Sequence, residues 1–138
     1  MLAEEERQGL RNLRTYQAFQ AKADRVKDDF LFFLIEQKRA GKKVAAYGAA
    51  AKGNTLLNYA GVKPDLLPVV YDAASSKQGK YMPGSHIPIL SPVALTENRP
   101  DWVLILPWNI ATEVMIQQDR IRHWGGRFVV VIPELRSY

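Results

Sequence analysis

Cysteine is absent from the 138 residues, which removes disulfides and thiolate metal sites from consideration. No apolar run reaches the roughly 20 residues of a membrane-crossing helix, so no membrane partner is expected. The opening MLAEEERQGLRN lacks the basic-then-apolar pattern of a secretory signal, and the cytoplasm is the expected compartment. Lys and Arg are scattered rather than gathered into a block, and they are not interleaved with aromatics. The net charge of +5 therefore suits a small anionic ligand, and no nucleic-acid partner is expected. His86 and His123 have no partners at metal-ligand spacing, so no metal is expected either. Neither a nucleophile beside a base nor a pair of carboxylates stands out, and no catalytic residue is assigned.

The chain does have enough apolar residues, 47%, for one compact domain with a real core. Its first forty residues read as helix. Leu10, Leu13, Tyr16, Phe19, Ala23, Val26, Phe30 and Phe33 recur at steps of three and four, with charged residues between them. The stripe broadens at DDFLFFLIEQ, which points to deeper burial there. The first ten residues are polar and read as a frayed start or a linker. Gly41 ends the helix, with Lys38 and Arg39 suited to the negative end of its dipole. Residues 1–40 are thus expected to form an N-terminal helical linker or arm, and residues 41–138 the domain itself.

Beyond Gly41 the pattern changes to short apolar runs separated by helices. KVAAYG, LLPVVYD, IPIL, DWVLILP and RFVVVIP read as strands, with a helix from about Ala50 to Tyr59 that Gly61 stops. NIATEVMIQQDRIRHW reads as a second helix, with Asn109 as its N-cap and Gly125-Gly126 as its stop. Near-continuous apolar strands alternating with helices predict an α/β, Rossmann-like three-layer domain. Its mostly parallel sheet of about five strands would be covered on both faces. One connection, AASSKQGKYMPGSH, has no periodicity and reads as a functional or mobile loop.

The chemistry concentrates where these strands end. Gly48, Ala50 and Gly53 fit G-x-A-x-x-G between the first strand and its helix. The first glycine permits the tight turn, the small second residue admits a phosphate, and the third lets the helix pack on the sheet. Free amides at the helix start then form an anion site. A plain turn and helix cap that binds nothing is the alternative. The methyl group of Ala50 stands where a dinucleotide's pyrophosphate would press closest, which weakens an NAD reading. Asp72 follows Gly48 by 24 residues, the place of a ribose-binding acid.

Lys52 is positioned to neutralise a phosphate and Asn54 to donate to one; their other readings are a solvated lysine and an ordinary first-turn amide. A Walker A loop is excluded, because Asn54-Thr55 stands where its Lys-Ser/Thr pair would follow the last glycine. Trp108 and Asn109, closing the fourth strand, share an edge with Gly48 and Asp72. Trp108 offers a stacking face. Glu134, after the fifth strand, reaches the same edge as an acceptor or a solvated charge.

Taken together, GKKVAAYGAAAKGNTLLNYAGV, VVYDAASSKQGKYMPGSHIPILSP, PDWVLILPWNIATEVM and GGRFVVVIPEL resemble the C-terminal domain of bacterial sugar C-methyltransferases. These enzymes use S-adenosylmethionine and act on nucleoside-diphosphate-linked deoxysugars. The resemblance runs from Lys27 to Leu135. It implies a neighbouring methyltransferase domain that binds S-adenosylmethionine and carries the catalytic acid/base, beyond a cysteine-rich zinc domain. For this chain it implies no cofactor of its own and a nucleoside-diphosphate sugar as partner. The residues carried over are the turn from Gly48 to Asn54, Asp72, the KQGKYMPG loop with Lys77 and Lys80 covering a diphosphate, and Trp108-Asn109. The leading helix would link to the methyltransferase domain, or bury its stripe in a homodimer. A stand-alone module for coenzyme A or NAD, and a purely structural docking domain, are the competing readings.

Overall fold

The computed structural model describes the backbone of residues 2–138 and the side chains of residues 12–138. Met1 and the side chains through Arg11, including the stripe position Leu10, lie outside the described residues.

The leading stripe forms a single helix, α1 (Leu2–Arg39), with Lys38 and Arg39 in its last turn. Its two halves differ. Phe30, Phe33 and Leu34 are buried, whereas Leu13, Tyr16 and Phe19 are exposed. The deeper burial expected around DDFLFFLIEQ is present, because this segment lies against the sheet. The Phe33 ring meets Trp102 edge-on at 5.3 Å, and the Trp102 indole donates to Gln37 Oε1 at 3.0 Å.

After α1 come β1 (Val44–Tyr47), α2 (Ala51–Ala60), β2 (Val70–Tyr71), β3 (Ile89–Leu90), α3 (Ala94–Asn98), β4 (Trp102–Ile105), α4 (Ala111–Gln117), β5 (Arg127–Val130) and β6 (Arg136–Ser137). They form one sheet in the order β3-β2-β1-β4-β5-β6. The first five strands are parallel, and β6 returns antiparallel on β5. β6 was not expected: its two exposed residues carry no apolar pattern, and their place is set by pairing Val129 with Ser137 and Val130 with Arg136.

The strands are apolar throughout because side chains alternate between two cores. Val44 and Ala46 of β1, Leu104 of β4 and Val129 of β5 join Phe30, Leu34, Leu56 and Leu57 under α1 and α2. Their neighbours Ala45, Tyr47, Val103, Ile105, Phe128 and Val130 join Leu95, Val114 and Ile121 on the other face. The result is the expected three-layer α/β arrangement.

Two connections differ from the sequence reading. The helix between β4 and β5 is broken into a 3-10 turn (Trp108–Ile110), α4, and a second 3-10 stretch (Asp119–Trp124). Asn109 sits inside the first turn and does not cap α4; Ile110 occupies that position, and no side chain caps it. The chain leaves β4 through Pro107 and tightens at once into the 3-10 turn, which moves the N-cap of the α-helix one residue past Asn109. The long connection after β2 folds back on β3: Gly79 N donates to Ile89 O at 2.9 Å, Ile89 N to Lys80 O at 2.8 Å, and Met82 N to Ile87 O at 2.8 Å. Asn58 and Lys63 tie its tip to α2 and the segment after it, donating to Pro83 O at 3.1 Å and Gly84 O at 2.9 Å.

Candidate functional site

In a sheet of this order the chain reverses direction between β1 and β4. The crevice beyond their carboxyl ends is where open α/β sheets receive ligands. Gly48 leaves β1 at φ +96, and a Cβ there would lie 2.5 Å from Pro107 Cδ. Glycine is thus required twice over, by the left-handed turn and by the ring of the neighbouring strand end. Gly53 is buried, and a Cβ on it would stand 2.6 Å from Leu106 Cβ. This glycine brings α2 close over the end of β4. Between them, Ala50 takes the N-cap place of α2 with extended backbone and no side-chain cap. The first bond of the helix runs from Asn54 N to Ala50 O at 3.0 Å, so the amides of Ala51, Lys52 and Gly53 have no partner within the helix. No acidic residue sits in this first turn, and the dipole adds to its positive potential. Asn54 Oδ1 is buried in the same turn without a hydrogen-bond partner.

Asp72 turns inward toward the backbone. Its Oδ2 accepts from Ala49 N at 2.7 Å and its Oδ1 from Ala74 N at 2.8 Å. Lys77 reaches the other end of the same residue, its Nζ donating to Ala49 O at 2.8 Å. Gln78 closes the loop by donating to Asp72 O at 2.9 Å. The loop and the glycine turn are therefore tied into one unit, and Asp72 and Lys77 hold its geometry.

On the β4 side the crevice is open. Lys52 Nζ lies 5.8 Å from the centre of the Trp108 ring, within reach of a cation–π attraction. Beyond this pair an open groove of ≈ 520 Å3 runs between α1 and α2, with Phe19, Val26, Leu56, Tyr59, Ile132 and Pro133 among its lining residues. At the groove, Tyr59 Oη donates to Asp24 Oδ1 at 2.7 Å and accepts from Gln20 Nε2 at 3.2 Å. The Tyr59 bond, and next a bond that Gln20 Nε2 donates to Asp24 Oδ1 at 3.1 Å, hold the Asp24 carboxyl below its ordinary value of 3.8. The same Asp24 contact pushes the Tyr59 hydroxyl above its usual 10.0.

The structure thus gathers Gly48, Ala50, Lys52, Gly53, Asn54, Asp72 and Trp108 around one crevice. Lys80 and Asn109 are exposed: Asn109 follows Trp108, and Lys80 lies on the loop segment that pairs with Ile89 of the edge strand β3. Glu134 accepts from Arg136 Nε at 3.0 Å and takes no part in the crevice.

Residues 1–133 match the sequence model of the C-methyltransferase C-terminal domain. The chain belongs to this family. It is 40% identical over 136 residues to C-methyltransferase NovU of Streptomyces niveus, covering 99% of the chain but 32% of that relative's length. This C-methyltransferase C-terminal domain accordingly spans about a third of its curated relative. Among solved structures it resembles UDP-D-quinovosamine 4-dehydrogenase of Vibrio fischeri, with a TM-score of 0.52 at 19% identity over 70% of this chain and 93% of that one. The latter likeness is one of fold. No described helix is long and apolar enough to cross a membrane.

Two features of the C-methyltransferase C-terminal domain escape a reading of its sequence. Pro107 fixes the space beside Gly48, but a proline after a strand carries no sign of its partner. The grip of Asp72 and Lys77 on Ala49 depends on how an aperiodic loop folds. The groove residues were within reach: Lys52, Thr55, Leu56 and Tyr59 share one face of α2 at helical spacing.

Proposed function

We propose that this domain holds the nucleotide-sugar substrate of an S-adenosylmethionine-dependent C-methyltransferase, while the chemistry takes place on the enzyme's methyltransferase domain. The observation that carries this reading is the start of α2: three free amides, a small residue at Ala50 and Lys52, all at the carboxyl edge beside β4. A diphosphate is the ligand group that such a site fits best, since its charge meets the helix dipole and its oxygens meet the amides. Family membership supplies the reaction class, and the name of the 40% identical relative agrees with it.

Each residue then has a part. Gly48 and Gly53 set the approach of turn and helix, Lys52 balances charge, Asn54 lines the first turn, and Trp108 walls the crevice. Asp72 serves by fixing the Ala49 peptide, and Lys80 is free to close over the diphosphate. S-adenosylmethionine belongs to the remainder of the enzyme, because this chain has no E-x-G-x-G-x-G loop to hold it. The engagement of both Asp72 oxygens with backbone amides speaks against NAD, whose ribose would need that acid.

Calorimetric titration tests the reading directly. Thymidine diphosphate is expected to bind the 138-residue chain, and S-adenosylmethionine to give no heat. The reverse preference would overturn it.

A further inference from the structure

Resting on the reading that the glycine turn takes a diphosphate, we propose that the groove between α1 and α2 seats the ligand's nucleobase. A diphosphate on the amides of Ala51–Gly53 can extend its nucleoside in two directions. Toward β2 the way is occupied: the loop is tied to Ala49 by Lys77, and both Asp72 oxygens accept backbone amides. Toward β4 it is open, and it begins at Lys52, the second residue of α2, whose ammonium lies over the Trp108 ring.

The groove has the chemistry of a base site. At ≈ 520 Å3 it is within the usual size of small-ligand pockets, which run from about 300 to 1,000 Å3. Phe19, Tyr59 and Trp108 supply aromatic walls around an aliphatic floor of Leu56 and Val26. Phe19 is 70% exposed and Tyr59 46% exposed, so both present ring surface to solvent, and Lys27 Nζ lies 5.7 Å from the centre of the Tyr59 ring. Stacking on such rings is how proteins hold bases whose edges they do not read. The groove also has a polar end, where Gln20 meets Tyr59, so a flat ring with a hydrogen-bonding rim fits it better than an aliphatic chain. Lys52 stands at the phosphate end, where it can balance the diphosphate's charge, and Lys22 also lines the groove.

The test compares thymidine diphosphate with inorganic pyrophosphate on the wild-type chain and on Phe19→Ala, Thr55→Trp and Lys52→Ala. Wild type is expected to bind thymidine diphosphate at least tenfold more tightly than pyrophosphate. Phe19→Ala should remove roughly tenfold from the nucleotide and nothing from pyrophosphate. Thr55→Trp, an exposed position whose new ring would fill the groove, should act the same way, and Lys52→Ala should weaken both ligands. Nuclear Overhauser contacts from the base H6 proton to the Tyr59 ring locate the base directly. Equal affinities for the two ligands, unmoved by Phe19→Ala and Thr55→Trp, would overturn the base seat and leave the diphosphate turn standing. Failure of both ligands to bind wild type would overturn the underlying reading, and this one with it.

Discussion

At the residue scale, the crevice depends on what is missing from two side chains. Gly53→Ala would place a methyl 2.6 Å from Leu106 Cβ, and overpacking of this kind costs about 1–3 kcal/mol. Urea unfolding should register that loss, together with weaker diphosphate binding as α2 is pushed off β4. Asp72→Asn exchanges one acceptor for a donor, so Ala49 N or Ala74 N loses its partner. Hydrogen bonds to a charged acceptor contribute about 1.5–3 kcal/mol. Amide exchange at Ala49 and Ala74 should therefore quicken by tenfold or more, while the distant β5 amides keep their protection. The glycine positions were legible because each obeys a local rule: the turn at Gly48 needs a positive φ, and helix must meet strand at Gly53. Asp72 was legible as an acid at a strand end but not as a tie to the backbone. Its partners come from a loop with no periodicity, and only the folded chain brings Ala74 and Ala49 to either side of one carboxylate.

At the scale of elements, α1 divides into an anchored part and a free part. Phe30→Ala removes a fully buried ring and should cost about 3–5 kcal/mol, whereas Phe19→Ala should leave the melting temperature nearly unchanged. The free part touches α2 through Asp24 and Tyr59, and that contact depends on pH. The folded state lowers the Asp24 pKa below 3.8, so its contribution is present above that value and is lost as pH falls through the folded pKa. Tyr59 is raised above 10.0, so its contribution holds below that value and is lost as pH rises through the folded pKa. Proton and carbon shifts along residues 16–26 should report loosening at both extremes, and Tyr59→Phe should abolish the alkaline change and weaken the acid-side one. The three-four spacing made the helix legible, and the broadened stripe at DDFLFFLIEQ marked its buried part. Asn109 misled because cap preference describes an α-helix start, and here a 3-10 turn comes first. β6 could not be read, since two exposed residues take their strand geometry entirely from β5.

For the whole molecule, the alternation of side chains between two cores made the α/β class legible, and the order β3-β2-β1-β4-β5 follows from connections that cross first on one side and then on the other. A ligand bound at the reversal point touches elements from both halves, so binding should stabilise the entire fold. With thymidine diphosphate at a hundred times its dissociation constant, linkage contributes about 2.7 kcal/mol. Thermal unfolding should shift upward by several degrees, whereas NAD at the same concentration should leave it in place. The division of α1 has a mechanical consequence as well. Phe30–Leu34 is the fulcrum, and Phe19 lies eleven residues away along a rigid rod, about 16 Å at 1.5 Å per residue. A tilt of about 5° would move that ring by roughly 1.4 Å over this arm, enough to grip or release a flat ring lying against α2. On the proposed base seat, a load applied to the helix ahead of Phe19 would reach the bound ring as a change in grip.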